Sequence, residues 1–316
     1  LAGPALSRAQ TLPNMEPTAN IEGCSHWASA QARKSGGRGT EASPFSIARF
    51  FEVAKPGSTL CLLDGIYLGA HQMIRPPAGL SGKPGAPITI RAANDGEVLI
   101  DGGSRASKTT DHRPVALRLN NHWILEGFNA GYSNSNVLSI MGEQFKGDAH
   151  PSRVPIRDVT IRRVVAWDAD PCFPDRKDCS SNRMVVSIAA ADDVLLEDVA
   201  AFGTGRKIFQ VYQSRRIVIR RSWGRWEGNG RRHVQTFSCA YRSYDVICEN
   251  IFGTWSGESQ PANVPVKQLK TIIGMDWHTD KDNSWSGKSD AWDVGLRLLG
   301  SLAYVEQSAL HPPKNG

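Results

Sequence analysis

Short runs of alternating apolar and polar residues recur through the middle of the chain: Val137-Leu-Ser-Ile, Val185-Val-Ser-Ile-Ala, Ile208-Phe-Gln-Val-Tyr and His233-Val-Gln-Thr-Phe. A period of two predicts strands with one buried face, and none of these runs carries the 3.6-residue period of a helix. Five further segments align with one another: Leu125-Glu-Gly-Phe-Asn-Ala, Ile161-Arg-Arg-Val-Val-Ala, Leu196-Glu-Asp-Val-Ala-Ala, Ile219-Arg-Arg-Ser-Trp-Gly and Cys248-Glu-Asn-Ile-Phe-Gly. They recur at roughly 22 to 35 residues, the range in which solenoids are expected. About three short strands per unit, each too small to bury its face alone, are satisfied when each rung of a coil stacks on the last. The pattern predicts an all-β fold, a single-stranded parallel β-helix.

Equivalent residues on neighbouring rungs would lie about 4.8 Å apart, which subjects the alignment to a physical test. Glu126, Arg162, Glu197, Arg220 and Glu249 follow the first apolar residue and alternate in sign, so each Arg has two acidic neighbours. Like charges stacked there would repel. The adjacent column, Gly127, Arg163, Asp198, Arg221 and Asn250, alternates less strictly, and Ala130, Ala166, Ala201, Gly224 and Gly253 are all small, as a tight inward corner requires.

Ahead of the repeats, Ser43-Pro-Phe-Ser-Ile-Ala-Arg-Phe-Phe-Glu-Val-Ala54 reads as an amphipathic helix, with Ser43 as N-cap and Lys55-Pro-Gly-Ser as its stop. It would plug the open end of the coil. The stretch Ala54-Lys-Pro-Gly-Ser-Thr-Leu-Cys-Leu-Leu-Asp-Gly-Ile-Tyr67, followed by Pro84-Gly-Ala-Pro-Ile-Thr-Ile-Arg-Ala92 and Leu99-Ile-Asp-Gly102, resembles the opening of right-handed parallel β-helix proteins of the pectate-lyase-like superfamily. That superfamily holds lyases, hydrolases, epimerases, phage tailspikes and non-catalytic surface proteins, so the resemblance speaks to fold more than to activity. The expected organisation is an irregular N-terminal extension over 1–42 and a right-handed β-helix over 43–257 with its capping helix at 43–54. A long loop excursion over 258–289 and a final strand-like segment and tail over 290–316 complete it. No second cap helix is recognisable, which leaves the carboxyl-terminal end open to self-association.

The chain has 316 residues, with 37 Lys and Arg against 31 Asp and Glu, and the excess is local. Between Gly203 and His233 nine basic residues face one acid, Glu227. Such a segment points to an anionic partner: an acidic polysaccharide, a nucleic acid or an anionic surface. Two of its arginines, Arg220 and Arg221, already belong to the charge ladders, as do Arg162 and Arg163 outside it, and the rest spread over several faces of the rung, which disfavours nucleic acid. No run approaches 18 consecutive apolar residues, so no membrane span is expected. The six cysteines suggest Cys172–Cys179 and Cys239–Cys248 as local disulfides and Cys24–Cys61 as the remaining pair, and hence an extracellular, periplasmic or cell-surface location. Reduced, buried thiols of a cytosolic protein are the alternative.

The resemblance implies that substrate lies along the first sheet of each rung. There Ser139, Ser187, Gln210, Tyr212, His233, Gln235 and Phe237 face outward if Leu138, Ile140, Val186, Ile188, Phe209, Val211, Val234 and Thr236 face inward. Removing the C5 proton of a uronic acid requires a base, and a cation must neutralise the neighbouring carboxylate. Lyases of this superfamily use Arg or Lys as base, commonly beside Ca²⁺, which nominates Lys207 and Arg231 as catalytic. Arg183, Arg206, Gln210, Tyr212, Arg232, His233, Gln235 and Trp226 are then the substrate-binding set. The competing reading makes the charged residues solvated turns, and Trp226 a member of a buried aromatic ladder with Trp167 and Phe202. Asp168, Asp170, Asp175 and Asp178 offer oxygen ligands for Ca²⁺ on a loop the Cys172–Cys179 bridge would constrain, or form a plain acidic loop. The function expected is a secreted protein that binds an acidic polysaccharide and cleaves it by β-elimination, a polysaccharide lyase. The alternative is a non-catalytic structural, adhesive or filament-forming β-helix protein.

Overall fold

The structure, a computed structural model, describes residues 23–103, 113–144, 154–169, 183–226, 235–255, 273–275, 297–299 and 302–305. They wind into a parallel β-helix with three sheet faces. The first sheet stacks Val115–Arg118, Leu138–Met141, Met184–Ala189, Lys207–Tyr212, Gln235–Tyr241 and Ile273–Met275. The second stacks His26–Ala28, Thr59–Leu62, Ile88–Ala92, Trp123–Glu126, the leading halves of Ile156–Ala169 and Ala191–Gly203, then Arg215–Arg220, Tyr244–Glu249 and Arg297–Leu299. The third carries Gly65–Leu68, Val98–Asp101, Asn129–Ser133, the trailing halves of the same two long strands, then Trp223–Trp226, Phe252–Trp255 and Leu302–Val305. All strand pairings named here are parallel.

The interior is filled by Val, Ile, Leu and aromatic side chains from all three faces, among them Trp123, Ile161, Leu196, Phe209, Phe237 and Trp226. Corners between sheets need residues of positive φ. Asp158, Asp193, Arg216 and Asp245 form one such column and Arg163, Asp198, Arg221 and Asn250 another, all with φ between 49° and 56° except Arg221 at 47°. Asp and Asn tolerate this left-handed region better than other residues with a Cβ. The column Ala130, Ala166, Ala201, Gly224, Gly253 is in register. A Cβ on Gly224 would come within 2.6 Å of Thr236 and 2.8 Å of the Phe237 ring, so the size limit is steric.

The predicted ladder is present, residue for residue: Glu126, Arg162, Glu197, Arg220 and Glu249 pair across successive rungs, and Arg91 extends it upward. Arg162 binds Glu126, and Arg220 reaches Glu197 at 2.5 Å. The second column locks onto the first, with Arg221 2.6 Å from Glu197 and 2.8 Å from Asp198, and Arg163 2.6 Å from Asp95 and 3.5 Å from Glu126.

Several expectations change. The helix spans Ile47–Val53 and its N-cap is Ser46, whose hydroxyl accepts from the Arg49 amide. Ser43 instead closes a turn, its amide donating to the Thr40 carbonyl at 3.1 Å, and Phe45 bridges to Ala28 before the helix can begin. Residues 23–42 are joined to the coil rather than forming an irregular extension, through the strand His26–Ala28 and the Cys24–Cys61 disulfide. Cys239–Cys248 also forms, whereas Cys172–Cys179 lies outside the described residues. Within the stretch expected as a loop excursion, Ile273–Met275 adds a strand to the first sheet.

Candidate functional site

On the first sheet Ser139, Ser187, Gln210 and Ser238 share one column, and all four are buried. The register corrects the sequence reading by one position at its far end. Phe237, expected outward, sits in the column of Phe209 with its ring stacked at 4.3 Å, and Ser238 takes the place beside Gln210. A slip of one residue exchanges the two faces of a strand. Here the aromatic pair decides, and Thr236 is accommodated because its hydroxyl donates to the Thr254 carbonyl at 2.8 Å.

Lys207 has no exposed surface. Its Nζ donates to the Ser238 hydroxyl at 3.2 Å and lies 5.1 Å from the centre of the Tyr241 ring. Tyr212 packs on Tyr241 at 4.9 Å, and the Arg242 guanidinium stands over the same ring at 5.8 Å. Arg183 is exposed, and its carbonyl accepts the Arg206 amide at 2.7 Å, so the two arginines mark one edge of the face. Gln235 pairs with Lys207 through the backbone register. Arg231, Arg232, His233, Asp170, Asp175 and Asp178 lie outside the described residues.

Two nominated residues take structural positions. Trp226 is fully buried and donates its indole N–H to the Gly205 carbonyl at 2.8 Å, so it is core and not a surface platform for sugar. The buried ladder expected of the three does not form: Trp167 and Phe202 stack at 5.8 Å on the outer, half-buried face and their column continues to Arg225, while Trp226 follows Gly203 in a different column. Asp168 sits in the left-handed region at φ 54° and accepts the Thr204 amide at 3.3 Å, which is a turn-closing role. Among the described residues no group of three or more His, Cys, Asp or Glu is arranged to hold a metal.

Charge separates the first sheet from the second. The first-sheet strands contain Arg118 and Lys207 and no acid. Within two residues of their ends the described chain adds Arg113, Arg183, Arg206 and Arg242, against Glu143. On the second sheet opposite charges are matched. The Asp193 carboxylate hydrogen-bonded to Arg216 outweighs partial burial and raises that guanidinium's pKa. Asp198 and Glu197 do the same for Arg221. For Arg163 burial pulls downward, but Asp95, Glu126 and Asp198 together carry the pKa above its ordinary value.

A groove of about 680 Å³ follows the outer face of the second sheet. Ile124, Thr160, Leu195 and Val218 form its floor, with the Lys83–Pro87 turn at one side. Within its charged rim His122 Nδ1 lies 3.2 Å from Asp158 and Arg216 Nε 2.5 Å from Asp193. An acidic ligand there would compete with carboxylates already in place. The first sheet offers the better field for an anion.

Sequence reasoning missed Ser238, Tyr241, Arg118 and Arg242 as members of this face. Aligning Phe209 with Phe237 rather than following the polar alternation would have found the first two.

No protein-family model matches the chain, and no curated protein matches it. Among solved structures it is similar to pectate lyase Pel9A, at 14% identity and a TM-score of 0.45 over 89% of this chain and 77% of that one. It is also similar to an alginate lyase from Paenibacillus sp. str. FPU-7, at 15% identity and a TM-score of 0.42 over 69% of this chain and 66% of that one. For a GH136 lacto-N-biosidase from Eubacterium ramulus the identity is 12% and the TM-score 0.46, over 88% of this chain and 50% of that one. The chain thus spans half the length of the biosidase.

Proposed function

We propose that the protein binds an acidic polysaccharide along its first sheet and cleaves it by β-elimination. The observation that supports this is the one-sided charge of that face, whose strands carry Arg118 and Lys207 and no acid, with Arg113, Arg183, Arg206 and Arg242 beside their ends against Glu143. Exposed Arg118 and Arg183 would meet the glycan's carboxylates at the edge of this face. Their charge would neutralise a uronate carboxylate and so acidify its C5 proton. In the elimination a base takes that proton, the C4–C5 double bond forms, and the C4–oxygen bond breaks with a proton delivered to the departing oxygen. Lys207 is the base this reading nominates, and Tyr241 beside it the phenol that supplies the proton.

One observation favours a second reading. Lys207 is wholly enclosed and bonded to Ser238, so in this arrangement it cannot touch a sugar. A face that grips an acidic glycan without cutting it, as in a structural or adhesive extracellular protein, needs only the rim arginines.

Incubation with a panel of polyuronates and glycosaminoglycans, with and without Ca²⁺, separates the two through the ultraviolet absorbance of unsaturated uronate products. A rising signal lost in Lys207→Met establishes the lyase. A flat signal with retention on an acidic-glycan column establishes the gripping role, and neither signal nor retention removes the first sheet from consideration.

A further inference from the structure

The outer face of the third sheet is apolar along most of its length. In one column Ile66, Leu99, Val165, Ala200, Trp223 and Phe252 succeed one another, interrupted once by Asn129. In the adjacent column Trp167 and Phe202 lie between Asp101 and Arg225. Among the described side chains of this face the most open are Ile66 at 61% and Leu68 at 56% on the first rung, and Phe252 at 39% on the rung before Leu302–Val305. Isolated surface apolar residues need no explanation, but a contiguous stripe marks a contact surface.

The ring arrangement narrows what the stripe can hold. Tyr132 meets Trp167 edge-on at 5.6 Å, Trp167 stacks on Phe202 with an interplanar angle of 11°, and Phe202 meets Trp223 at 6.0 Å. Trp167 also lies across Gly131, where a Cβ would come within 2.6 Å of the indole. The aromatic faces are thus taken up by each other along the coil axis. What they offer outward are edges, poor platforms for sugar rings and suited to interdigitation with another apolar surface.

We infer that this face is an interface for a second copy of the chain, packed with its coil axis antiparallel. A two-fold axis along the strand direction keeps each column opposite itself and reverses the order of rungs, as an isologous contact requires. Seven rungs run from Gly65–Leu68 to Phe252–Trp255, and the middle one carries Val165 and Trp167. With the axis on that rung, Ile66 meets Phe252 of the second copy, so the exposed side chains cover each other. The same axis sets Asp101 opposite the second copy's Arg225. Exposure and charge locate the axis independently and agree. A parallel arrangement would instead place Asp101 near its own copy and Arg225 near its own. The rung Leu302–Val305 overhangs the contact.

Six spacings of about 4.8 Å and a width of about 15 Å give an interface near 900 Å² in total, below the usual size of a stable complex. A weak, reversible dimer in the micromolar range follows. The inference is independent of the first-sheet reading, because the two faces do not overlap.

Sedimentation equilibrium of the full chain, from low micromolar to several hundred micromolar, tests it. The expected result is a monomer–dimer equilibrium that Ile66→Lys weakens at least tenfold without altering the thermal melt. Asp101→Arg and Arg225→Asp should each weaken it, and the double variant should recover it, because the swap restores both cross-pairs. A protein that stays monomeric throughout overturns the inference. So does a dimer indifferent to Ile66→Lys, or folded single variants that both weaken association without recovery in the double. A monomer whose tryptophan fluorescence shifts with a neutral glucan would assign the face to a glycan and overturn it equally.

Discussion

Reversing the charge of Arg220 tests the ladder that ties the rungs of the second sheet together. Arg220 touches the almost fully buried Glu197 through Nε at 2.6 Å and Nη2 at 2.5 Å, with Glu249 on the following rung. Losing one partner of a buried pair costs about 3–5 kcal/mol. Arg221 remains 2.6 Å from Glu197 as a second cation, so Arg220→Gln should fall nearer 2 kcal/mol, the range of a lost charge-assisted hydrogen bond. Arg220→Glu adds repulsion: at about 4.8 Å and an effective dielectric near 20, two like charges interact by about 3.5 kcal/mol, less where solvent screens them. At about 2–4 °C per kcal/mol for a domain of this size, Arg220→Gln should lower Tm by about 4–8 °C and Arg220→Glu by about 10–20 °C. Thermal melts followed by circular dichroism decide it, and added salt should narrow the gap between the variants. A glutamate variant that melts within 2 °C of the glutamine variant would show that shape, not charge, holds this column, and the ladder argument would fail.

Trp226→Ala should destabilise the protein by about 3–5 kcal/mol in urea titrations, the range for a buried aromatic; unchanged stability with weakened glycan retention would return Trp226 to the surface. Arg118→Ala combined with Arg183→Ala should elute earlier in salt from an acidic-glycan column, and unaltered elution would deny the first sheet its anion. His26 packs against Phe45 and Phe50, and burial, aided by Lys55, lowers its pKa. The unfolded chain therefore binds the extra proton more readily, so stability is fully present above the unfolded value near 6.5 and declines as pH falls through it toward the folded value. Melts between pH 7.5 and 5 should show a decline that His26→Phe flattens, and an equal slope in both proteins would remove His26 as its cause.

What the sequence made legible was whatever repeats under a constraint shared by neighbouring rungs. The sign alternation from Glu126 to Glu249 and the small column from Ala130 to Gly253 are each imposed by stacking at the rung spacing, so five aligned segments suffice to set the register of two sheets. The helix start was misread because Ser43 and Ser46 are both followed by plausible first turns. Only the distant bridge from Phe45 to Ala28, with the Ile47 amide donating to Gln72 Oε1, selects the second. Trp226 presented the same difficulty in another form, since a tryptophan near a glycine-rich loop has one sequence signature whether its indole meets sugar or the Gly205 carbonyl.

The first sheet was harder because its outward column obeys no ladder rule. Ser139, Ser187, Gln210 and Ser238 neither alternate in charge nor keep one size, and the runs that carry them read equally well in either phase. The register there rests on a single aromatic stack between Phe209 and Phe237. A coil held together by strict ladders on its second face leaves its first face free of that constraint, and the freedom is where specificity can be written. Lys207 is the residue in which this freedom shows most. Its rung neighbours in the column are Met184 and Gln235, neither of which requires a lysine. Nothing in the stacking of the coil therefore asks for a buried ammonium at this position. Its place beside Ser238 and Tyr241 is a local choice of this sheet, and that is the physical reason to test it first as chemistry rather than as scaffold.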